Sequence, residues 1–177
     1  LNGIAYDAQA KRLFVTGKTV DYEPGPEKSI AGIAARGNRT AEEVAYDELL
    51  EDDGKALLLL GIGNYEDCSL DWMEEMLASE NVVLGLGDGG AHYGMICDAS
   101  YSTFSLTHWT RDRAKGRLSV EDMVHRLTRQ PALLVGLADR GLIAPGHRAH
   151  VNLINYEALA LHKPEVIHDL PAGGRRL

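Results

Sequence analysis

A glycine-rich stretch near the middle of the chain restricts its folding more than any other feature of the sequence. Five of the eleven residues 84–94 are glycine, and the stretch continues directly from the predicted strand 81–86. Glycines at such a point let the backbone turn sharply and approach a ligand closely. Asp88 lies in this turn, and α/β folds place catalytic groups at the C-terminal ends of parallel strands. The stretch therefore predicts a strand, a tight turn and a candidate functional carboxylate.

Two other interpretations of this stretch are open on the residues alone. Gly85, Gly87 and Gly90 match the glycine spacing of a dinucleotide-binding loop, which needs a helix N-terminus to receive the pyrophosphate. Asp88 would place a carboxylate beside those phosphates, and the residues that follow show no clear helical face. The other interpretation is a structural turn in which Asp88 is only a turn or capping residue.

Helices and strands alternate on both sides of this stretch. Helices are predicted over residues 29–36, 40–51, 69–77, 99–110 and 119–129, with a short one after Pro131. Thr40 and Glu43 have the spacing of a capping box at the start of the second helix. Strands are predicted at residues 55–62 and 81–86. This order of elements indicates an α/β fold with parallel strands.

Both ends of the chain have a β-like pattern instead. Residues 1–18 read as strand, turn and strand, and residues 141–155 contain two short apolar runs around Pro145 and Gly146. The segment Asp21 to Pro26 has two prolines and a glycine, so a connector is expected there. The predicted organisation is an N-terminal hairpin (1–20), an α/β region (21–140) and a C-terminal β-region (141–177).

Charge and composition argue against several classes of partner. The formal net charge is -8, which repels phosphate backbones and anionic lipid, so no nucleic-acid or membrane partner is expected. The basic cluster around Arg111, Arg113 and Arg117 is interpreted as a solvated helix end. No apolar run approaches the ~18 residues that a membrane span needs. With only Cys68 and Cys97 and no secretory signal, the predicted setting is reducing and cytoplasmic.

Eight short blocks of the sequence occur in the order typical of one enzyme family. They are residues 21–27, 49–56, 87–92, 97–100, 106–109, 139–142, 144–149 and 168–174. Through these blocks residues 21–177 resemble the C-terminal part of an N-acyl-D-amino-acid deacylase, or D-aminoacylase, of the amidohydrolase superfamily. Several blocks in one register are more specific than any single motif.

The resemblance implies a fold, a cofactor and a set of site residues. It implies the C-terminal portion of a metal-dependent (β/α)8 barrel followed by a small β-region. The family uses zinc to polarise an amide carbonyl and activate water, and it cleaves linear amide C–N bonds of N-acyl-D-amino acids. Asp88 matches the family's catalytic aspartate, which acts as general base and then protonates the leaving amine. Gly89, Gly90 and His92 are the weaker candidates for substrate contact.

The sequence departs from the family pattern at the metal site and beside the catalytic aspartate. It contains no His-x-His, and the family's metal ligands lie on upstream barrel segments that have no counterpart here. Neither His147 nor His150 is expected to bind metal, and Gly87 replaces a serine of the family. We therefore expect a truncated form that binds no zinc and is inactive alone, unless a complementing chain completes the barrel. The alternative is a non-catalytic domain that oligomerises or binds a partner.

The first 18 residues carry a second resemblance. Residues 1–7 and 12–18 resemble a segment of bacterial glutaminyl-peptide cyclotransferase, which is a β-propeller. A single propeller hairpin cannot bury its apolar face alone. This resemblance implies a fused or truncated gene product and no complete cyclotransferase site.

Overall fold

The computed structural model describes residues 14–15, 22–61, 68–85, 87, 92–96 and 98–177. The chain divides into two compact units. The first comprises Leu1–Glu75, Gly90–Cys97 and His162–Leu177, and the second comprises Met76–Gly89 and Asp98–Leu161. The predicted hairpin 1–18 lies outside the described residues except at Phe14 and Val15, so its turn and first strand stay predictions.

Two capped helices organise the first unit: α1 (Ile30–Gly37) and α2 (Ala41–Gly54). The Ser29 side chain accepts a hydrogen bond from the amide of Gly32 and so begins α1, while Asn38 in the left-handed conformation ends it. In α2 the amide of Glu43 donates to the Thr40 hydroxyl at 3.2 Å, and the amide of Thr40 donates to the Glu43 carboxylate at 2.9 Å. The predicted capping box is confirmed.

The core of the first unit lies between these two helices. Ile30, Ala34 and Val44 are its buried members. Leu58 and Leu60 pack against them and are partly buried. The apolar faces of α1 and α2 are thus covered by each other and by the segment that carries the second strand.

The capping box gives a first testable prediction. Replacing Thr40 by alanine removes the acceptor for the Glu43 amide, and we expect a loss of about 1 kcal/mol in the free energy of unfolding. Urea denaturation followed by far-UV circular dichroism measures it. Thr40→Ser keeps the hydroxyl and should stay within about 0.5 kcal/mol of the unmodified chain. An equal loss in both variants would show that the hydroxyl makes no stabilising contribution.

The strands in the described part of the chain form two small antiparallel ladders. β1 (Phe14–Val15) pairs with β2 (Leu58–Leu59), and β3 (Ile167–Leu170) pairs with β4 (Gly174–Arg176). Parallel pairing, expected for a barrel portion, does not occur among the described strands. The structure is thus a mixed helix and strand fold in which the barrel stays a prediction.

Two predicted strands are wrong over the residues that the structure describes. Residues 82–85 and 141–155 contain no strand. Both runs have the composition of a strand, but a strand also needs a neighbour to complete its hydrogen bonds. Within residues 55–61, the described part of the predicted strand 55–62, only Leu58 and Leu59 pair. The C-terminal β-structure lies later than expected, in the ladder of β3 and β4.

The remaining helices lie where the sequence predicts them, except that the short helix expected after Pro131 begins before it, at Arg129. They are α3 (Asp71–Ala78), α4 (Tyr101–Thr107), α5 (Val120–Leu127) and α6 (Arg129–Leu134). The Ser119 hydroxyl accepts a hydrogen bond from the Asp122 amide at 3.0 Å, which begins α5 at the start of the predicted range 119–129. A π-helical turn, His108–Asp112, continues α4. Short 3-10 turns are found at Pro26–Lys28, Asp98–Ser100 and Pro171–Gly173.

None of the helices in the described part of the chain is both long enough and apolar enough to cross a bilayer.

Candidate functional site

Only the flanks of the glycine-rich stretch are described by the structure. Asp88, Gly89 and Gly90 lie outside the described residues, so their predicted roles stay predictions. Gly87, just before Asp88, is partly buried. His92 is exposed and has a φ of 55°, in the left-handed region that only a small share of non-glycine residues adopt. The stretch therefore ends in a tight backbone turn, as its composition predicts.

His92 opens a turn that is bonded through its own carbonyl group. This carbonyl accepts hydrogen bonds from the amides of Met95 at 2.8 Å and Ile96 at 3.0 Å. The carbonyl of Tyr93 accepts a hydrogen bond from the amide of Leu177 at 2.8 Å, so the C-terminal residue is attached to this turn. In the first unit, the predicted substrate-contact residue His92 thus lies on a turn with defined backbone contacts.

An aromatic cluster follows in the second unit, where α4 passes into the π-helical turn. The His108 ring stacks on Phe104 with centroids 4.7 Å apart and meets Trp109 edge-on at 5.1 Å. The Arg113 guanidinium lies over the Trp109 ring, 4.7 Å from its centroid. Trp109 is 2% exposed and Arg113 is 3% exposed. The prediction that this basic cluster is a solvated helix end is wrong for Arg113. Its planar guanidinium can be buried because it lies against an aromatic face.

Arg111 connects the same turn to a later segment. Its guanidinium donates to the carbonyls of Tyr156 at 2.7 Å and Leu159 at 2.9 Å, and its centre lies 5.6 Å from the centroid of the Tyr156 ring. The hydroxyls of Thr110 and Tyr156 are 2.7 Å apart. Through its hydrogen bonds Arg111 also lowers the pKa of the Asp112 carboxyl, so that this carboxylate keeps its charge into acid solution. Thr110 and Arg111, two consecutive residues of the π-helical turn, therefore hold residues 156–159 in place.

A second arginine supports the loop that follows α6. Arg129 donates to the carbonyls of Ala138 at 2.8 Å and Arg140 at 2.9 Å. Gly141, with a φ of 73°, lies against the backbone of Arg129, and a Cβ built on it would stand 2.6 Å from the Arg129 Cα. This contact between Arg129 and Gly141 was not predictable from the sequence. The Asp-Arg-Gly motif at residues 139–141 was visible, but its partner lies ten residues earlier on another element.

An ion pair joins the two blocks 139–142 and 144–149 of the predicted family pattern. Arg148 donates to the Asp139 carboxylate at 2.8 Å, and this hydrogen bond lowers the pKa of Asp139. The guanidinium of Arg140 lies 2.9 Å from Nδ1 of His150. His150 is exposed and His147 is partly buried. The two histidines thus lie among charged neighbours in the loop after α6.

A zinc site requires three or four nitrogen, sulfur or oxygen ligands around one point. In residues 14–15, 22–61, 68–85, 87, 92–96 and 98–177, no group of three or more His, Cys, Asp or Glu side chains could hold a metal ion. Among the histidines, His147 and His150 lie closest together in the sequence. The His150 ring already contacts the cationic guanidinium of Arg140, which disfavours a metal ion there. The described donors therefore do not fit the zinc of the resembled family.

Comparison with known proteins gives one match. Residues 4–173 match the sequence profile of the amidohydrolase family. The match includes most of residues 1–18, for which a separate origin was expected, and nothing found supports the second resemblance. No curated protein and no solved structure matches the chain.

Proposed function

This chain belongs to the amidohydrolase family, and we propose that its reaction is the hydrolysis of linear amide C–N bonds in N-acyl-D-amino acids. The observation that carries the proposal is the family match over residues 4–173, which contains the Asp88 segment. The narrower choice of substrate rests on the eight sequence blocks that resemble the deacylases. These blocks include both the Asp88 turn and the ion-paired loop after α6.

Asp88 is the residue that we propose for proton transfer. Its carboxylate takes a proton from the attacking water while the water oxygen bonds to the amide carbon. The same proton then goes to the amide nitrogen as the C–N bond breaks, which leaves a carboxylic acid and an amine. Gly89 and Gly90 let the backbone come close to the substrate, and His92 contacts the substrate or the tetrahedral intermediate.

We include zinc in this proposal only because the resembled deacylases need it for catalysis. The described residues do not form a zinc site, so we assign no step to the metal in this chain. Its ligands would have to come from residues outside the described part or from a complementing chain. Because the sequence contains no His-x-His pair, we propose that turnover by this chain alone is at background, and the test supplies such a pair.

Fragment complementation tests this function. The purified chain is mixed with zinc and with the N-terminal barrel portion of a D-aminoacylase that contains its His-x-His ligands. We expect hydrolysis of N-acetyl-D-amino acids, but not of the L-enantiomers, only in the mixture. Asp88→Asn should lower the rate at least ~100-fold, because general acid–base groups contribute about 10²–10⁴-fold. Amine release is measured, together with zinc by elemental analysis.

The matched control is Asp47→Asn, which removes a carboxylate that pairs with Arg39 on the surface. It should leave the rate of the mixture unchanged. A mixture that hydrolyses the substrate equally well with Asp88→Asn would contradict the role of Asp88. A mixture that binds zinc and forms a complex but hydrolyses no N-acyl-amino acid would contradict the substrate class.

A further inference from the structure

Three large apolar side chains are exposed within four consecutive residues of the second unit. Val151 is 62% exposed, Leu153 is 103% exposed and Ile154 is 45% exposed. A single exposed apolar side chain is ordinary on a protein surface, but a cluster of this kind marks a contact surface. We call residues 151–154 the open segment.

The backbone of the open segment is also unpaired. Among the described residues, no backbone hydrogen bond involves residues 151–154. On one side the amide of His150 donates to the carbonyl of Arg148, and on the other the amide of Ala158 donates to the side chain of Asn155. No residue from 147 to 155 has a positive φ, so none of them is in the left-handed region that would prevent strand pairing. Unpaired backbone groups with apolar side chains form an edge that accepts another strand.

The charges that flank the open segment have opposite signs at its two ends. Before it, Asp139, Arg140 and Arg148 are joined by close contacts and sum to one positive charge. After it comes the exposed Glu157, which lies near Arg111 and its ion-pair partner Asp112, and these three groups sum to one negative charge. In an antiparallel pair of identical segments, the basic end of each copy lies beside the acidic end of the other. This complementarity favours a second copy of the chain over a partner of uniform charge.

We propose that two copies of this chain associate through their open segments, paired antiparallel about a two-fold axis at Asn152. In this register Asn152 faces Asn152 of the second copy, and Val151 of each copy faces Leu153 of the other. The four apolar side chains of these two pairs then share one face of the ladder. A two-fold axis makes the contact self-complementary and closed, so it yields a dimer and not a fibre. The inference is independent of the proposed hydrolase function.

The oligomeric state of the full chain tests the proposal. Sedimentation equilibrium should give a dimer, and Leu153→Lys should raise its dissociation constant at least tenfold. Leu153 is fully exposed in the chain, so this change should leave the fold intact, which circular dichroism checks. Ile143→Lys is the matched control, because Ile143 is 88% exposed in the same unit but lies outside the open segment. It should leave the dissociation constant unchanged.

Cysteine cross-linking tests the register. In a chain with Cys68→Ser and Cys97→Ser, oxidised Asn152→Cys should form a disulfide-linked dimer, because directly opposed strand residues have Cα atoms about 4.5–5.5 Å apart. Asn155→Cys should not, since the register separates the two copies of residue 155. A chain that stays monomeric overturns the proposal, and so does a dimer insensitive to Leu153→Lys. Pairing of the open segment only with the added D-aminoacylase fragment would also overturn it.

Discussion

Gly141→Ala is expected to lower the free energy of unfolding of the chain by about 3 kcal/mol. A methyl group at this position would stand 2.6 Å from the Cα and 2.7 Å from the amide nitrogen of Arg129. These are backbone atoms, which cannot move aside as a flexible side chain can. The φ of 73° adds the cost of the left-handed conformation, about 1–2 kcal/mol for a residue with a Cβ. Urea denaturation measured by far-UV circular dichroism gives the change.

Gly136 provides a control that separates the two causes. It has a φ of 78°, but a Cβ built there meets nothing within 4 Å. Gly136→Ala should therefore cost only the conformational part, about 1–2 kcal/mol. If the two variants lose the same amount, the close approach of Gly141 to Arg129 has no energetic consequence.

Trp109→Ala is expected to have an effect of similar or greater size, about 3–5 kcal/mol. The ring is 2% exposed, so its removal leaves a cavity between α4 and the residues that follow. It also takes away the aromatic face beneath the buried Arg113 guanidinium. Burial of a charged group is tolerated only with such partners. The loss of packing and the loss of the cation–π contact therefore act in the same direction.

Circular dichroism is the suitable measurement for Trp109 as well, because the variant lacks one of the two tryptophan fluorophores. Trp109→Phe keeps an aromatic face and should recover more than half of the loss. Trp72 is 55% exposed, and Trp72→Ala should cost no more than about 0.5 kcal/mol. If Trp109→Ala were no more harmful than Trp72→Ala, the aromatic cluster would not be part of the core.

Helix starts were predictable because their chemistry is local. Ser29, Thr40 and Ser119 each accept a hydrogen bond from an amide three residues later, so a short stretch of sequence contains the whole interaction. The same holds for the end of α1, where Asn38 adopts the left-handed conformation and its amide donates to the Ala34 carbonyl. These contacts need nothing from the rest of the chain, so the local order of residues is enough to predict them.

Strands and their pairing were not predictable in the same way. Phe14 and Val15 pair with Leu59 and Leu58, which lie more than forty residues later in the sequence. Residues 151–154 have an equally strand-like composition, yet no described segment pairs with them. Apolar side chains and β-branching make a strand possible, but a partner at the right distance decides whether it forms.

The candidate site shows the same difference between local and distant contacts. The glycine-rich turn around Asp88 was apparent from composition, and the left-handed His92 agrees with a tight turn there. The contacts of Arg111 with Tyr156 and Leu159 join residues about 45 positions apart, and those of Arg129 cross from α6 to the following loop. An arginine that binds several backbone carbonyls looks, in sequence, like any exposed arginine.

The π-helical turn His108–Asp112 has a consequence for how the length of this chain can vary. Its hydrogen bond from the Arg113 amide to the His108 carbonyl encloses one residue more than an α-helical bond would. Deleting one residue from the turn would restore regular α-helix and would look harmless in an alignment. Because the wide turn absorbs the extra residue, the helix keeps its angular phase on both sides, whereas the same one-residue change in a regular α-helix would rotate every later residue by about 100°. The helix itself would therefore tolerate the deletion, but the contacts made from inside the turn would not, because Thr110 and Arg111 hold Tyr156 from there.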